Sequence, residues 1–512
     1  MKAASTIVET PFGRLAGIES DGVIQFLGVP YAKPPIGDLR LRSPRSLEPW
    51  AGTRDATRPG SASLQTLGGN QVWMNEPIPD QSEDCLFLNV WTPGTSGKLP
   101  VFFWLHGGMT RNGHGVAPAV NGAALARQQN LVVVTINYRL GALGGLAHPD
   151  LVDESTGYCA NWGLQDKIAA LNWVQQSISA FGGDPANVTL AGQSSGAANT
   201  AIIAQNDLAP GCFHKIITQS PPLFRPPMFV ELDAAAEYTE LLAQKLDIPV
   251  AKLREVDGVD LQRNEHALAY SPETTAKIGR PRTAPVRDGK LIRQWPYDAP
   301  SVNLPVLAGW TRDEANFWFD LVDGDGKVIS PQKSPQTPEE LEKRVNGLMG
   351  LHYNFPSRPD ARSIADAYLF GNDVPAAWSQ LYTDLAFRAP ILHFAGRQAK
   401  AGHPTYVYEF AYPLPAPGKG SPHASDVAFV FGTTGTPHLA CKIGNAPAVS
   451  DVSKAMMGAW ADFARTGSPS GTVDWPVFDP AKPRVMQFGP DQSNSVDLRS
   501  SDKIGLWPAY GA

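Results

Sequence analysis

The chain has 512 residues, of which 43% are hydrophobic and 18% are charged, a composition that is typical of a globular protein and excludes intrinsic disorder. Its 43 basic and 49 acidic residues give a net charge of −6 without any block of lysine or arginine, which excludes a nucleic-acid surface built on charge. Four cysteines are too few for a disulfide framework. Two disulfides stay possible, but reduced thiols are the simpler interpretation for Cys85, Cys159, Cys212 and Cys441.

The most apolar stretch of the chain, 130–147, predicts no membrane span because Asn137 and Arg139 interrupt it. The N-terminal segment 1–17 lacks the apolar core of a signal peptide, which favours a cytoplasmic protein. The alternative is the mature form of a secreted or periplasmic protein. The histidines form no HExxH or HxH motif, so we expect no metal site.

The first half of the chain begins with strand patterns and then alternates strands with helices. Segments 6–17 and 23–32 predict a β-hairpin and a turn-rich continuation. Three apolar runs follow that are typical of strands buried on both faces: 85–93, 99–108 and 131–139. Segment 163–182 has apolar residues at helical spacing, and the Gly-Gly-Asp-Pro sequence at 182–185 ends it.

The second half continues the same alternation. Segment 187–205 predicts a strand, a tight turn and a helix, and further strands are predicted at 304–311 and 404–412. Strands that alternate with helices predict an α/β protein with a mostly parallel central sheet. We therefore expect a single catalytic domain over 1–512, with a helix-rich excursion at about 313–395.

The clearest local motif is Gly-Gln-Ser-Ser-Gly at Gly192–Gly196, with Ser194 at its centre. Glycines on both sides of a serine allow a sharp strand-to-helix turn that exposes the hydroxyl group above the sheet. The strand pattern 188–191 and the small-residue helix start 196–204 supply the context that this motif requires. The alternative is a strand–turn–helix connection with no chemical role.

A second glycine motif, His-Gly-Gly-Met at His106–Met109, follows the apolar run VFFWL. Such a loop aims backbone N–H groups at a developing oxyanion. We expect the N–H groups of Gly107, Gly108, Met109 and Ser195 to form this oxyanion hole. Taken alone, the loop has an ordinary glycine turn as its alternative.

A serine nucleophile needs a base and an orienting carboxylate. Asp313 and Glu314 follow the predicted strand 304–311, although an acidic pair at a strand end is often only solvated surface. His423 lies in the long loop 413–432, where a rigid scaffold commonly carries catalytic groups, and it is the best candidate base. The later histidines lie in helical or turn contexts that suit this role less well: His352, His393, His403 and His438.

With these residues in view, the chain resembles the type-B carboxylesterases of the cholinesterase and carboxylesterase family, which have the α/β-hydrolase fold. The resemblance covers nearly the whole length through five motifs: 26–40, 82–93, 136–144, 181–199 and 457–469. It implies Ser194 as nucleophile and His423 as base. Because the acid in this family is usually glutamate, it also implies Glu314 rather than Asp313.

Several positions depart from the family pattern without removing a triad atom. Glycine commonly stands at 315 and 424, where this chain has alanine, and Gln193 and Asp426 both replace glutamate. Ser63 stands where secreted members have the cysteine that pairs with the equivalent of Cys85. The absence of that cysteine favours a bacterial-type esterase that is not secreted.

The resemblance implies hydrolysis of small-molecule esters through an acyl-enzyme, without a cofactor or a metal. Amide or carbamate hydrolysis by the same triad is the alternative, and a non-catalytic cholinesterase-like binding protein is a remote one. The sequence leaves open whether the protein is a monomer or a homodimer.

Segment 278–289 is similar to the stretch that shapes the acyl pocket in cholinesterases. Small residues there, with Arg280, Arg282 and Arg111 nearby, suggest a wide cationic pocket for a bulky or carboxylate-bearing acyl group. Three surface arginines are the alternative interpretation. Trp73 resembles a cation-binding aromatic residue, but the neutral Gln193 beside the nucleophile argues against choline esters.

Overall fold

The computed structural model describes residues 5–66, 78–222, 229–271, 274, 283–319, 332–352, 360–369, 371–415, 420–491, 493–498, 503, 506 and 507. The described strands, in chain order, are β1 Ser5–Thr10, β2 Gly13–Ser20, β3 Val23–Pro30, β4 Thr53–Asp55, β5 Ala62–Ser63, β6 Gln81–Ser82, β7 Phe87–Thr92, β8 Leu99–Leu105, β9 Val132–Ile136, β10 Gly183–Gln193, β11 Lys215–Gln219, β12 Val230–Glu231, β13 Val286–Arg287, β14 Val306–Thr311, β15 Thr405–Phe410, β16 Arg484–Phe488 and β17 Ser493–Asp497.

The described α-helices are α1 Ala123–Gln129, α2 Gly141–Gly145, α3 Trp162–Ser177, α4 Ser195–Gln205, α5 Leu232–Lys245, α6 Gly258–Ala269, α7 Pro338–His352, α8 Ala361–Tyr368, α9 Val374–Thr383, α10 Ala389–Lys400, α11 Val427–Phe431, α12 Pro437–Ile443 and α13 Pro447–Thr466. A single π-helical turn, Asp384–Arg388, joins α9 to α10. Among the described residues, we find no helix with the length and apolar character that a membrane crossing requires.

The described residues group into two compact units, of which the first lies within 1–67, 75–216 and 229–295. Its main strands follow the order β1-β2-β3-β7-β9-β8-β10, and β4 pairs with β2. The pairs β1–β2, β2–β3, β3–β7 and β7–β9 are antiparallel, whereas β8 is parallel to both β9 and β10 and β4 is parallel to β2. The parallel strands are therefore the ones that lead to the elbow at the end of β10.

Burial on both faces explains why the parallel strands β8 and β9 are mostly apolar. Every residue of β9 is buried, and so are Val101–Leu105 of β8. Strands that are covered on both faces are apolar at nearly every position, because no residue points to water, and the exception in β9 is the buried Thr135. Helices α3 and α4 both contact β10, so the first unit has the predicted α/β arrangement.

The second unit lies within 217–228 and 296–512. Its strands follow the order β14-β15-β16-β17, in which β14, β15 and β16 are parallel and β17 is antiparallel. Helices α7 to α10 lie between β14 and β15 in the chain. Ser220, just after β11, donates its N–H to the Gly309 carbonyl of β14 at 2.8 Å.

The predicted elements are confirmed with small shifts at their ends. The helix predicted over 163–182 is α3, which passes into a short 3₁₀ turn and stops at Gly182, where φ is 77°. The strand, turn and helix predicted over 187–205 are β10 and α4. The single catalytic domain over 1–512 stays a prediction.

All four cysteines are free thiols. Ser63 lies beside the buried thiol of Cys85, so serine occupies the place next to this cysteine that the resemblance assigned to a second one. Burial raises the pKa of the Cys85 thiol, which keeps it protonated.

Candidate active site

Ser194 stands at a strained elbow between β10 and α4, with φ of 55° and ψ of −127°. The two glycines around it are required by close packing. A Cβ atom on Gly192 would lie 2.6 Å from the Gly196 backbone, and one on Gly196 would lie 2.2 Å from the Leu105 carbonyl oxygen. No larger residue fits at either position, so the Gly-x-Ser-x-Gly pattern has a steric cause here.

The loop after β8 approaches the elbow within the first unit. A Cβ atom on Gly107 would lie 2.9 Å from the Ser194 Cβ atom, and Gly108 has φ of 106°. The N–H groups of Gly107, Gly108, Met109 and Ser195 donate to no acceptor among the described residues. Unpaired N–H groups in a loop that lies beside a serine are the donors that an oxyanion hole needs.

Two hydrogen bonds hold this loop in place beyond Met109. The Thr110 N–H donates to Ser195 Oγ at 3.3 Å, and the Thr110 hydroxyl group donates to the Thr283 carbonyl at 3.2 Å. Met109 and Thr110 both have φ of 58°, a conformation that residues with a side chain rarely adopt. Met109 is 38% exposed.

Arg111 is not the surface arginine of the alternative interpretation. Its side chain is 8% exposed and forms a bidentate ion pair with Glu265 of α6 at 2.7 and 2.8 Å. The Tyr238 hydroxyl group donates to the same carboxylate at 2.6 Å. Because Glu265 neutralises its charge, Arg111 contributes structure to this loop rather than a free cation.

The oxyanion loop packs against Tyr138 through His106. The rings of Tyr138 and His106 stack with centroids 4.3 Å apart, and the Tyr138 hydroxyl group donates to the His106 carbonyl at 2.7 Å. His106 Nδ1 lies 2.8 Å from the Gly107 carbonyl, which accepts a hydrogen bond only if this nitrogen carries the proton. Burial lowers the pKa of His106 to about 3, so the ring is neutral.

Glu314 and His423 pair directly in the second unit. His423 Nδ1 hydrogen-bonds to Glu314 Oε2, and the Thr311 N–H donates to the other carboxylate oxygen at 2.8 Å. Glu314 is fully buried and His423 is 3% exposed. Aromatic rings surround the imidazole, the nearest being Trp318 with its centroid 4.7 Å away.

Asp313 has a different role from Glu314. It accepts the Ser421 N–H at 2.8 Å and so holds the loop that carries His423. Gly420 is required there, because a Cβ atom at that position would lie 2.0 Å from the Asp313 carboxylate. Ala424, next to His423, has φ of 69°, the left-handed region that favours the glycine of the family pattern.

Asp426 is the centre of a buried network in the second unit. Its Oδ2 atom accepts the Tyr408 hydroxyl at 2.7 Å and the Gln219 amide at 2.9 Å, and Trp460 donates to the Gln219 carbonyl at 3.0 Å. Burial, together with the nearby charge of Glu314, raises the pKa of Asp426 to about 6. The sequence offered no signal for Gln219 or Trp460, which lie far from Asp426 along the chain.

The structure thus brings Ser194 and the predicted oxyanion residues together in the first unit, and Glu314 and His423 together in the second. Trp73, Arg280 and Arg282 lie outside the described residues. Sequence reasoning missed Tyr138 and also Lys167, the neighbour of the Tyr138 ring. A signal for Lys167 was present, because it occupies the apolar face of α3 three residues after Leu164 and four before Leu171.

The chain is similar to known proteins over nearly its whole length. Residues 4–507 match the group described as the carboxylesterase family. The chain is 33% identical over 517 residues to the para-nitrobenzyl esterase of Bacillus subtilis (strain 168), with 99% of both chains covered. It is also 33% identical over 515 residues to the fumonisin B1 esterase of Sphingopyxis macrogoltabida, with 98% of this chain and 89% of that protein covered.

Among solved structures, a PNB esterase matches with a TM-score of 0.81 at 31% identity, and the match covers 98% of this chain and 100% of that one. This likeness over the whole length confirms the predicted α/β-hydrolase fold.

Proposed function

The chain belongs to the carboxylesterase family, and from this premise we propose that it hydrolyses small-molecule carboxylic esters through an acyl-enzyme on Ser194. The observation that carries the proposal is the strained elbow, which presents Ser194 beside N–H groups that donate to no described acceptor. The buried Glu314–His423 pair supplies the base and the carboxylate that a serine nucleophile needs.

In the proposed reaction, Ser194 Oγ attacks the ester carbonyl carbon while His423 Nε2 takes the hydroxyl proton. The carbonyl electron pair moves to oxygen, and the resulting oxyanion accepts hydrogen bonds from the N–H groups of Gly107, Gly108, Met109 and Ser195. As this intermediate collapses, the bond to the alcohol oxygen breaks, and His423 returns the proton to the leaving alcohol.

Water then releases the acid from the acyl-enzyme. His423 takes a proton from water, the hydroxide oxygen attacks the acyl carbon, and Ser194 leaves with the proton that His423 returns. Glu314 accepts the Nδ1–H of His423 throughout and stabilises the imidazolium that forms. The Thr311 N–H donates a hydrogen bond to the second carboxylate oxygen of Glu314, and this contact fixes the orientation of the His423 imidazole.

The acyl group is proposed to be bulky or to carry a carboxylate, on the basis of Arg280 and Arg282 in the sequence. Arg111 no longer supports this preference, since its charge is paired with Glu265. The substitution Arg280→Ala should then reduce the rate for an anionic acyl group and leave the rate for a neutral one unchanged. Equal rates for Arg280→Ala and the unmodified protein on both esters would contradict the preference.

The deciding experiment measures kcat/KM for p-nitrophenyl butyrate and p-nitrophenyl monosuccinate with the full chain. Ser194→Ala should lower both values by about 10⁴-fold or more, because the nucleophile is lost. Ser20→Ala, which changes an exposed serine at the end of β2, should match the unmodified protein. Esterase activity that survives in Ser194→Ala would overturn the assignment, and a faster reaction on p-nitrobutyranilide would favour amide hydrolysis.

A further inference from the structure

Lys167 places a buried ammonium group behind the predicted oxyanion loop. It lies on the inner face of α3 and is only 2% exposed, which is rare for lysine. Its Nζ atom donates to the Gly163 carbonyl at 3.0 Å and lies 3.3 Å from the centroid of the Tyr138 ring. A desolvated ammonium group over an aromatic face is a strong cation–π contact.

The opposite side of the Tyr138 ring connects this charge to the loop. The ring stacks on His106, and its hydroxyl group donates to the His106 carbonyl. That carbonyl belongs to the same peptide group as the Gly107 N–H. His106 Nδ1 donates to the Gly107 carbonyl, whose peptide group carries the Gly108 N–H. Both peptide groups thus receive a hydrogen bond at the oxygen, which polarises the N–H at the other end.

The charged groups around Lys167 do not cancel its charge. Asp166, the preceding residue, raises the pKa of Lys167, but its carboxylate is paired with Arg139 at 2.6 Å and cancels that charge first. His106, on the far side of Tyr138, is neutral. Apart from Arg139, the residues that line the small cavity beside Lys167 are uncharged: Thr110, Gly144, Asn161, Gly163, Leu164, Asn199, Thr283, Ala284 and Pro285.

We propose that Lys167 is a positioning residue for the oxyanion hole: its ammonium group, held against Tyr138, orients and polarises the peptide groups that present the Gly107 and Gly108 N–H groups. This inference rests on the proposed esterase function. A cation on the ring face withdraws charge from the phenol, which strengthens the hydrogen bond that Tyr138 donates to the loop.

The charge on Lys167 changes in the range where esterases are assayed, since burial lowers the pKa of Lys167 to about 7. Below this pH the ammonium group is present and supports the loop, and above it the support is lost. The same charge has the opposite effect on the free energy of unfolding, which it lowers. The unfolded lysine holds its proton up to about pH 10.4, so the buried charge destabilises the fold fully below pH 7 and progressively less as the pH rises to 10.

The test compares Lys167→Met with the unmodified protein on p-nitrophenyl butyrate between pH 6 and pH 9. We expect kcat to fall about tenfold at pH 6 and less than about twofold at pH 9, with KM nearly unchanged, because the bound ester has no oxyanion and the charge develops only as the transition state forms. Thermal unfolding at pH 6 should show Lys167→Met to be at least as stable as the unmodified protein. Lost activity in a more stable variant separates positioning from damage to the fold.

Lys215→Met is the matched control, because Lys215 on β11 is also buried and its pKa is also lowered by burial, to about 8. This variant should keep the pH profile of the unmodified protein. Lys167→Arg keeps a positive charge at every pH of the assay, so its kcat should not show the decrease above pH 7 that deprotonation of Lys167 causes. In a Tyr138→Leu background, Lys167→Met should cause no further loss of kcat.

Three results would overturn the inference. The ratio of kcat in Lys167→Met to kcat in the unmodified protein could be the same at every pH, or Lys167→Met and Lys215→Met could change kcat equally. The third result is a further fall in kcat when Lys167→Met is added to Tyr138→Leu. If Ser194→Ala abolishes the activity, each of these results rejects the role of Lys167 and leaves the proposed esterase function standing. Activity that survives in Ser194→Ala would instead reject the proposed function itself.

Discussion

At the scale of single residues, backbone strain occurs in each of three segments that the proposed chemistry uses. Positive φ angles occur at Ser194 on the elbow, at Met109 and Thr110 in the oxyanion loop, and at Ala424 beside His423. Each such position costs about 1–3 kcal/mol and persists only where the surrounding structure imposes it. Tertiary contacts that hold these segments therefore oppose a local preference for other conformations.

Ala424 allows this strain to be measured without touching a catalytic atom. Ala424→Gly should raise the free energy of unfolding by about 1 kcal/mol, because glycine adopts φ near 69° without the steric cost of a Cβ atom. Urea denaturation measures the change, and kcat/KM should stay within about twofold. Ala267→Gly, at an exposed position of α6, should lose about 1 kcal/mol instead. Equal losses in the two variants would show that position 424 is unstrained.

At the scale of elements, a buried ion pair fastens helix α3 to the segment that follows β9. Asp166 of α3 accepts the Arg139 backbone N–H at 3.0 Å and its guanidinium group at 2.6 and 2.9 Å. Both side chains are 1% exposed or less. The ion pair lies next to the Lys167–Tyr138 contact, because Asp166 precedes Lys167 and Arg139 follows Tyr138 in the chain.

Breaking this pair on one side should destabilise the first unit strongly. Asp166→Asn should lower the free energy of unfolding by about 3–5 kcal/mol, because it leaves a buried guanidinium group without its counter-charge. The double substitution Arg139→Met with Asp166→Leu should lose less than Asp166→Asn alone. Denaturant titration of the purified variants measures both changes.

Arg263→Ala is the control, since its pair with Asp260 is exposed and should contribute less than about 1 kcal/mol. A loss in Asp166→Asn no larger than this would mean that the buried pair does not hold the helix.

At the scale of the whole molecule, stability does not depend on disulfide bonds. All four cysteines are free, and dithiothreitol should leave the Tm of the unmodified protein unchanged. The contact between Ser63 and the Cys85 thiol offers a site where one bond can be added. The two residues are far apart in sequence, so a bond between them would close a loop and restrict the unfolded chain.

Ser63→Cys should therefore form a disulfide with Cys85 under oxidising conditions and raise the free energy of unfolding by about 3 kcal/mol. The gain should disappear when dithiothreitol is added. Ser63→Ala separates this effect from the loss of the hydrogen bond that Ser63 accepts from the Leu140 N–H. Thiol titration that finds both cysteines reduced after oxidation would show that the geometry does not allow the bond.

Much of the fold and of the candidate site could be predicted from the sequence because the signals are local. The elbow depends on five consecutive residues whose glycines the packing requires, and the apolar runs 99–108 and 131–139 are the buried strands β8 and β9. Choosing Glu314 over Asp313 needed the family resemblance, because two adjacent carboxylates are alike in any local pattern. In the structure, the former pairs with His423 and the latter holds the loop of that histidine.

The sequence by itself determined the α/β order of elements, the elbow at Ser194 and the candidate acid and base. Only the tertiary structure decided which partners the charged side chains of Arg111 and Lys167 contact. Arg111 meets Glu265 from 154 positions away, and Lys167 reaches the ring of Tyr138 rather than water. A residue's charge, burial and partners depend on which distant segments the fold packs against it, and neither spacing nor composition records those contacts.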